Sequence, residues 1–332
     1  MRDHNIDLLR FIGLSLVILA HVSLPPPILL NMRCFDVPLM VLVSGMTCYG
    51  RSADFSFSYL IRRFTRLVFP VWIFLSLYFA MILGLEVVGI DSGLTLKHVV
   101  GSYLLWEGIG YVWIIRVFLM MALITPLLIS LNNAIKKTVV FVSVFCAALL
   151  IYLFVTSEHI GYNVGLIVNG LYYIIGYGFL FWLGIRIKDL TKKASLALVA
   201  IMLLAFAVLC CFNPMIKVWD IFLHINDYKY PPTNVFVVYG VIMSILLYML
   251  VSLRKKTTLN PLVSFISCNS IWIYLWHIPI VSLMVKMDVL SSWIVRYVIA
   301  YVGAFALYIV QYKIVSTIEN KRKYKFLKYL KG

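Results

Sequence analysis

The stretch IDLLRFIGLSLVILAHVSLP, residues 6–25, is long enough to cross a bilayer, yet it carries an arginine, Arg10, and a histidine, His21. On an α-helix at ~100° per residue, eleven steps amount to three turns plus ~20°, so both side chains share one face, ~16 Å apart along the axis. Asp7 falls within ~40° of the same stripe. A charge inside a membrane span costs at least ~2.5 kcal/mol on insertion scales, and such residues face a cavity or a partner. The expectation is a helix whose polar face lines a site open to water at its cytoplasmic end. His21, fifteen residues into the span, then lies ~22 Å from the inner surface.

The rest of the chain agrees with a membrane setting. Of 332 residues, 63% are hydrophobic and only 13% are charged, and the mean hydropathy is +0.98. A soluble domain carries about 25% charged residues. Apolar runs give ten candidate spans, at 6–25, 34–50, 67–88, 112–131, 138–155, 166–185, 194–212, 234–253, 262–285 and 293–317. The semi-polar stretch SGLTLKHVVGSYLLWEGIGY, 92–111, reads as a re-entrant or interfacial helix; were it a span, every later segment would change sides. The first apolar run does not end in a small-residue cleavage site and is not expected to be a removed signal. The fold class is thus an all-α integral membrane protein with about ten transmembrane helices, a single domain spanning 1–332, its spans in 6–317 and a basic tail in 318–332.

The net charge of +16 takes its meaning from where it lies. With the N-terminus inside, twenty lysines and arginines fall in inner segments: Arg2, Arg51, Arg62, Arg63, Arg66, Lys136, Lys137, four between Arg186 and Lys193, Arg254, Lys255, Lys256 and six in the tail. Five fall outside, at Arg33, Lys97, Lys217, Lys229 and Lys286, and four lie within spans, at Arg10, Arg116, Arg296 and Lys313. This asymmetry puts both termini in the cytoplasm. The tail is read as attracted to anionic lipid headgroups, and no nucleic-acid partner is implied. Six cysteines show neither CxxC spacing nor a neighbouring histidine cluster, so neither a disulfide framework nor a metal is expected.

Several residues could carry chemistry. A neutral His21 can take a proton from a substrate hydroxyl as a general base, or it can be a packing histidine. Arg62, Arg63 and Arg66, in RRFTRLVFP, either anchor the inner end of the third span or converge on a multi-phosphate group such as that of coenzyme A. His277, in SIWIYLWHIP, either faces the same cavity as His21 or is structural. Asp36, at the outer end of the second span with Arg33, either orients the imidazole, forms a loop salt bridge or is a simple solvated end. Trp113 suits an aromatic belt, while Arg116 in the same span needs a cavity or a partner. His4, His98, His159 and His224 are given no role. No HExxH, Gly-rich phosphate loop or GxSxG motif occurs.

At these residues the sequence resembles the acyltransferase 3 family of bacterial integral-membrane O-acyltransferases. Arg10 and His21 match its first-helix pattern of a basic residue, ten positions and a histidine. FDVPLMVLVSGM at 35–46 is similar to its second helix, and Arg63 and Arg66 match its RxxR motif. VWIIRVFLMMALITP, from Val112, resembles its fourth-helix segment. NSIWIYLWHIPI, from Asn269, resembles its late Tyr-Leu-x-His segment, here Tyr274 to His277. YPPTN at 230–234 looks like a segment of members that modify polysaccharides. Asp36, Met40 and Val41 depart from the pattern.

The resemblance implies acetyl- or another short acyl-coenzyme A as a cytoplasmic donor substrate, with no permanently bound cofactor. It implies a hydroxyl of a cell-envelope glycan, or of its lipid-linked precursor, as acceptor, and a bacterial inner-membrane location. By position His21 becomes the catalytic base and Arg10 a donor-side or pore-lining partner. Arg63 and Arg66, with Arg62 beside them, become binders of the coenzyme A phosphates. Asp36, Arg116, Trp113, Tyr274 and His277 are candidates for substrate-side or supporting roles. The alternative is a transporter or flippase for a lipid-linked sugar or anionic solute. That class is built from paired, broken helices in two repeated halves, a repeat this chain does not show by eye.

Overall fold

The computed structural model describes residues 3–87, 89, 93–106, 108–157, 166–212, 221–254, 258–287, 291–321 and 324–331. His159, Arg2, Lys217, Lys255, Lys256, Arg322 and Lys323 lie outside the described residues. Every regular element among the described residues is helical. Nine of the helices are long and apolar enough to cross a membrane, or ten when one broken pair counts as a span. The protein is an all-α integral membrane protein.

Helix α1 (His4–His21) opens under the Asp3 carboxylate, which accepts from the backbone N–H groups of Asn5 and Ile6 at 3.0 and 3.4 Å. It closes at His21, not at Pro25 as the apolar run predicts. Three prolines follow at 25–27, the residue before a proline is pushed out of the helical region, and Leu24 turns to φ +74°. His21 is therefore the last residue of its helix. Pro27 opens α2 (Pro27–Met32), where its missing N–H costs nothing. A 3-10 turn at Arg33–Phe35 leads into α3 (Asp36–Met46), so the second span runs earlier than 34–50.

The third span also differs from expectation. Helix α4 (Phe57–Val87) begins ten residues before residue 67, capped by the Ser56 hydroxyl on the Tyr59 N–H at 3.2 Å. Pro70, which the expected span 67–88 would put near its first turn, consequently lies well inside the helix. At ~1.5 Å per residue α4 is ~46 Å long, more than the ~30 Å of hydrocarbon, which leaves room for its arginine-bearing turns beyond the lipid.

Among its described residues the 92–111 stretch holds one helix, α5 (Leu96–Tyr103), eight residues or ~12 Å, too short to cross. Then come α6 (Trp113–Ala134), α7 (Thr138–Ser157), α8 (Leu166–Arg186), α9 (Lys192–Phe212), the single turn α10 (Ile221–His224) and α11 (Asn234–Ser252). The expected ninth span breaks at Asn269 into α12 (Pro261–Cys268) and α13 (Ser270–Met287). Helix α14 (Trp293–Lys321) and the terminal turn α15 (Lys328–Lys331) complete the chain.

These helices form two compact units interleaved along the sequence. The first comprises residues 1–20, 25–55 and 123–267; the second comprises 21–24, 56–122 and 268–332. In the first, α3 and α8 cross with almost no gap. A Cβ on Gly45 would strike the Phe181 carbonyl, one on Gly184 would strike the Leu42 carbonyl, and each would come 3.1 Å from the opposite glycine Cα. Only glycine lets two backbones approach so closely. Nearby, Asp36 is buried between Arg33 and Lys229 at 2.5 and 3.3 Å.

In the second unit α13 packs along α14, and the chain end is tied down. Trp272 donates to the Tyr329 carbonyl at 2.9 Å, Gln311 to the Leu330 carbonyl at 2.7 Å, and Tyr308 to the Lys331 carbonyl. The basic tail is thus anchored by its backbone.

Candidate functional site

The second unit gathers an aromatic and imidazole cluster around the end of α1. His21 Nδ1 lies 2.8 Å from His277 Nε2. The two ring planes are within 16° of parallel and their centroids are 4.9 Å apart. The nitrogens are much closer than the centroids, so the rings meet edge to edge through a hydrogen bond. Tyr111 stands perpendicular to His21, at 4.8 Å and 89°. Tyr274 lies 6.2 Å from His21 and 5.0 Å from His277. The Tyr274 hydroxyl donates to the Tyr111 carbonyl, and the Tyr274 carbonyl accepts from His277 Nδ1.

Each of these side chains has a local reason for its place. His277 and Tyr274 are three residues apart on α13, one above the other on a helical face. Tyr111 comes from the loop between α5 and α6, which doubles back on α5. There the Ser102 hydroxyl donates to the His98 carbonyl at 2.7 Å and accepts from the Ile109 N–H at 3.0 Å. Gly108 makes that return possible: its φ is +138°, and a Cβ there would collide with Ser102. The segment leaving His21 is held by Arg296 of α14, whose guanidinium donates to the Ser23 hydroxyl.

The arginines predicted to bind phosphate lie in the same unit, on α4. By helical geometry Arg62, Arg66 and Arg63 fall within an arc of ~100°. Arg62 and Arg66 are exposed and Arg63 is half-buried. Arg62 donates to the Ser58 hydroxyl at 3.1 Å, and the Arg63 guanidinium sits 5.3 Å from the centre of the Tyr59 ring. The three cations thus ride on one helix face. Arg116 finds its partner at Trp106, with its guanidinium 5.0 Å from the ring centre and a 3.4 Å bond to the Trp106 carbonyl. Trp113, the first residue of α6, leads out of the Tyr111 loop.

Two candidates lie in the first unit. Arg10 is 3.7 Å from Asp7, and the buried Asp7 carboxylate also accepts from the Ser267 hydroxyl at 3.1 Å. A charged pair three residues apart lowers the cost of putting either ion in the span. Asp36 is the buried centre of the Arg33 and Lys229 ion pairs and also accepts from the Val37 N–H at 2.7 Å. Of its three expected settings the salt bridge is the one observed, and the carboxylate is buried, not solvated; the group at His21 Nδ1 is His277.

A family model described as an acyltransferase domain matches residues 3–312 of the 332. The chain belongs to the acyltransferase 3 family. The match takes in His21, His277, the α4 arginines and the helices that carry them. No curated protein and no solved structure shows a significant match. The protein is a multi-pass membrane acyltransferase, and its family membership agrees with the opening and closing helices that suggested it.

Reasoning from sequence missed one member of the cluster, Tyr111, and two residues that hold neighbouring groups, Trp106 and Arg296. Tyr111 lay in a stretch read only for its depth. Trp106 carried no charge to mark it. Arg296 was visible as a cation within a span, the same signal that picked out Arg10 and Arg116.

Proposed function

We propose that this membrane acyltransferase moves an acetyl or other short acyl group from acyl-coenzyme A to a hydroxyl of a cell-surface polysaccharide or its lipid-linked precursor, with His21 as general base. The observation that supports this most is the 2.8 Å bond from His21 to His277, which holds an imidazole ready for proton transfer. His21 takes the proton of the acceptor hydroxyl as its oxygen attacks the thioester carbonyl carbon. The carbon–sulfur bond breaks, and the departing coenzyme A thiolate takes the proton back from the imidazolium. General-base assistance of this kind is worth roughly 10²–10⁴ in rate.

Arg63, Arg66 and Arg62 hold the donor's phosphates in this reading, because planar guanidinium groups on one helix face match several phosphate oxygens at once. The excess of lysine and arginine in inner segments supports a cytoplasmic donor and cytoplasmic termini in a bacterial inner membrane.

The test uses the purified protein in lipid vesicles with acetyl-labelled coenzyme A and a panel of envelope oligosaccharides. Label should pass to the glycan in wild type and fail to pass in His21→Ala at equal protein level. Undiminished transfer by His21→Ala removes His21 as base. Glycan uptake without any acyl donor, and no labelled product, would instead establish a transporter.

A further inference from the structure

A hydrogen bond between two imidazoles has a direction, and the backbone of α13 decides it. A carbonyl oxygen can only accept, so the contact between His277 Nδ1 and the Tyr274 carbonyl requires a proton on Nδ1. A neutral imidazole carries one proton, which leaves His277 Nε2 as an acceptor. The atom facing it, 2.8 Å away, is His21 Nδ1, which must then be the donor. In a neutral His21 with its proton on Nδ1, the basic lone pair belongs to Nε2.

The opposite direction needs His277 to hold protons on both nitrogens. That places a cation on a side chain with no solvent exposure whose ring neighbours among the described residues, His21, Tyr111 and Tyr274, are neutral groups. An ion buried without an opposite charge is strongly disfavoured.

We propose that His277 is a positioning residue that fixes the tautomer of His21, so that Nε2 of His21 is the nitrogen that takes the substrate proton. The Tyr274 carbonyl thus acts at two removes: it holds the proton on His277 Nδ1, His277 Nε2 holds the proton on His21 Nδ1, and the lone pair is delivered at the far edge of the His21 ring. The relay resembles the way a carboxylate sets the tautomer of a catalytic histidine, but here the fixed acceptor is a main-chain carbonyl reached through a second imidazole. It adds no charge to the site. The chemical consequence of this inference rests on His21 being the base; the tautomer itself does not.

Nitrogen-15 spectra of the full chain in lipid, labelled at its six histidines, read the tautomer directly. His21 is assigned by the signals lost in His21→Ala. A His21 with protonated Nδ1 and bare Nε2 is the expected result, and a protonated Nε2 with bare Nδ1 overturns the proposal.

Two variants test its consequence. His277→Phe fills the space without an acceptor; it should lower kcat by roughly 10²-fold or more, the scale of a misplaced general base, with the KM for acyl-coenzyme A held within about twofold, since the change touches the base alone. His277→Gln restores an acceptor at the Nε2 position and should recover at least about tenfold in kcat over His277→Phe, one well-made hydrogen bond being worth about that factor. A His277→Phe variant with wild-type kcat, or a His277→Gln variant no better than it, overturns the positioning role. If either protein fails to fold, the wild-type spectrum still decides. Should His21→Ala retain transfer while the spectrum shows the expected tautomer, the assignment of the base has failed and the relay has not.

Discussion

Arg296, buried in α14, donates a hydrogen bond to the hydroxyl of Ser23, two residues beyond His21. This contact pins the segment that leaves the end of α1, where the helix has stopped and no backbone ladder holds the chain. A hydrogen bond to a charged group contributes about 1.5–3 kcal/mol, and a buried donor stripped of its acceptor is costly in addition. Ser23→Ala should therefore lower the unfolding temperature in detergent. Because the pinned segment adjoins His21, it should also lower kcat for acyl transfer more than it raises the KM for the donor. Ser23→Thr, which keeps the hydroxyl, should recover most of both. Equal loss in the Ala and Thr variants would mean that shape, not the hydrogen bond, matters at residue 23.

The α4 arginines make a prediction that separates phosphate binding from membrane anchoring. If Arg63 and Arg66 grip the donor, replacing either by alanine should raise the KM for acyl-coenzyme A by roughly 10–100-fold, the scale of one charge-assisted hydrogen bond. Wild type should also discriminate against a donor lacking one phosphate, and the variants should discriminate less. Anchoring alone predicts lower protein level in the membrane and an unaltered KM. Kinetics with full and truncated donors, normalised to folded protein, distinguish the two.

The crossing of α3 and α8 gives a third test. A methyl on Gly45 would meet the Phe181 carbonyl, and backbone cannot swing aside as a flexible side chain can. Gly45→Ala and Gly184→Ala should each fail to give a monodisperse peak on size exclusion. Gly84, in α4, has no atom within 4 Å of the space its Cβ would fill. Gly84→Ala should be tolerated, and even stabilising by about 0.4–1 kcal/mol through the unfolded chain. A tolerated Gly45→Ala would show that the two helices can part without loss.

The first span shows how far sequence alone reaches. Arg10 and His21 stood out because polar residues in an apolar run demand a reason, and they led to the family and to the imidazole now seen in the cluster. The end of that helix was misplaced because hydropathy continues through Val22 and Leu24, while the stop comes from the backbone restriction of Pro25. The same limit applies to α4, where the charged RRFTR turns break the apolar pattern but not the helix, arginine being a good helix former. His277 could be matched to His21 only by depth. The bond between them joins residues 256 apart in the chain, and its direction depends on a main-chain carbonyl that has no signature in sequence. Arg116 called for a partner, and the tryptophan ring that faces its guanidinium lies ten residues earlier, with no charge to mark it.

The last test concerns pH, at the start of α1. Asp3 forms an ion pair with Lys188 at 2.6 Å and caps the helix. Burial alone would raise its pKa, but the bond and charge of Lys188, with the N–H groups of Ile6 and Asn5, outweigh burial and hold the carboxyl below its ordinary 3.8. A carboxyl depressed in the folded state adds stability above its unfolded pKa, and that stability fades as pH falls through the folded value. Asn caps a helix about as well as Asp, so Asp3→Asn removes the charge and keeps the cap. The variant should unfold at a lower temperature than wild type at pH 7, and the gap should close as pH drops below about 3.8. The difference is expected to be small, because the pair is partly exposed to solvent and screened, and it should shrink further in high salt. Thermal unfolding of both proteins across that range measures it; a gap that persists unchanged in acid would assign the effect to the shape of the side chain and not to its charge.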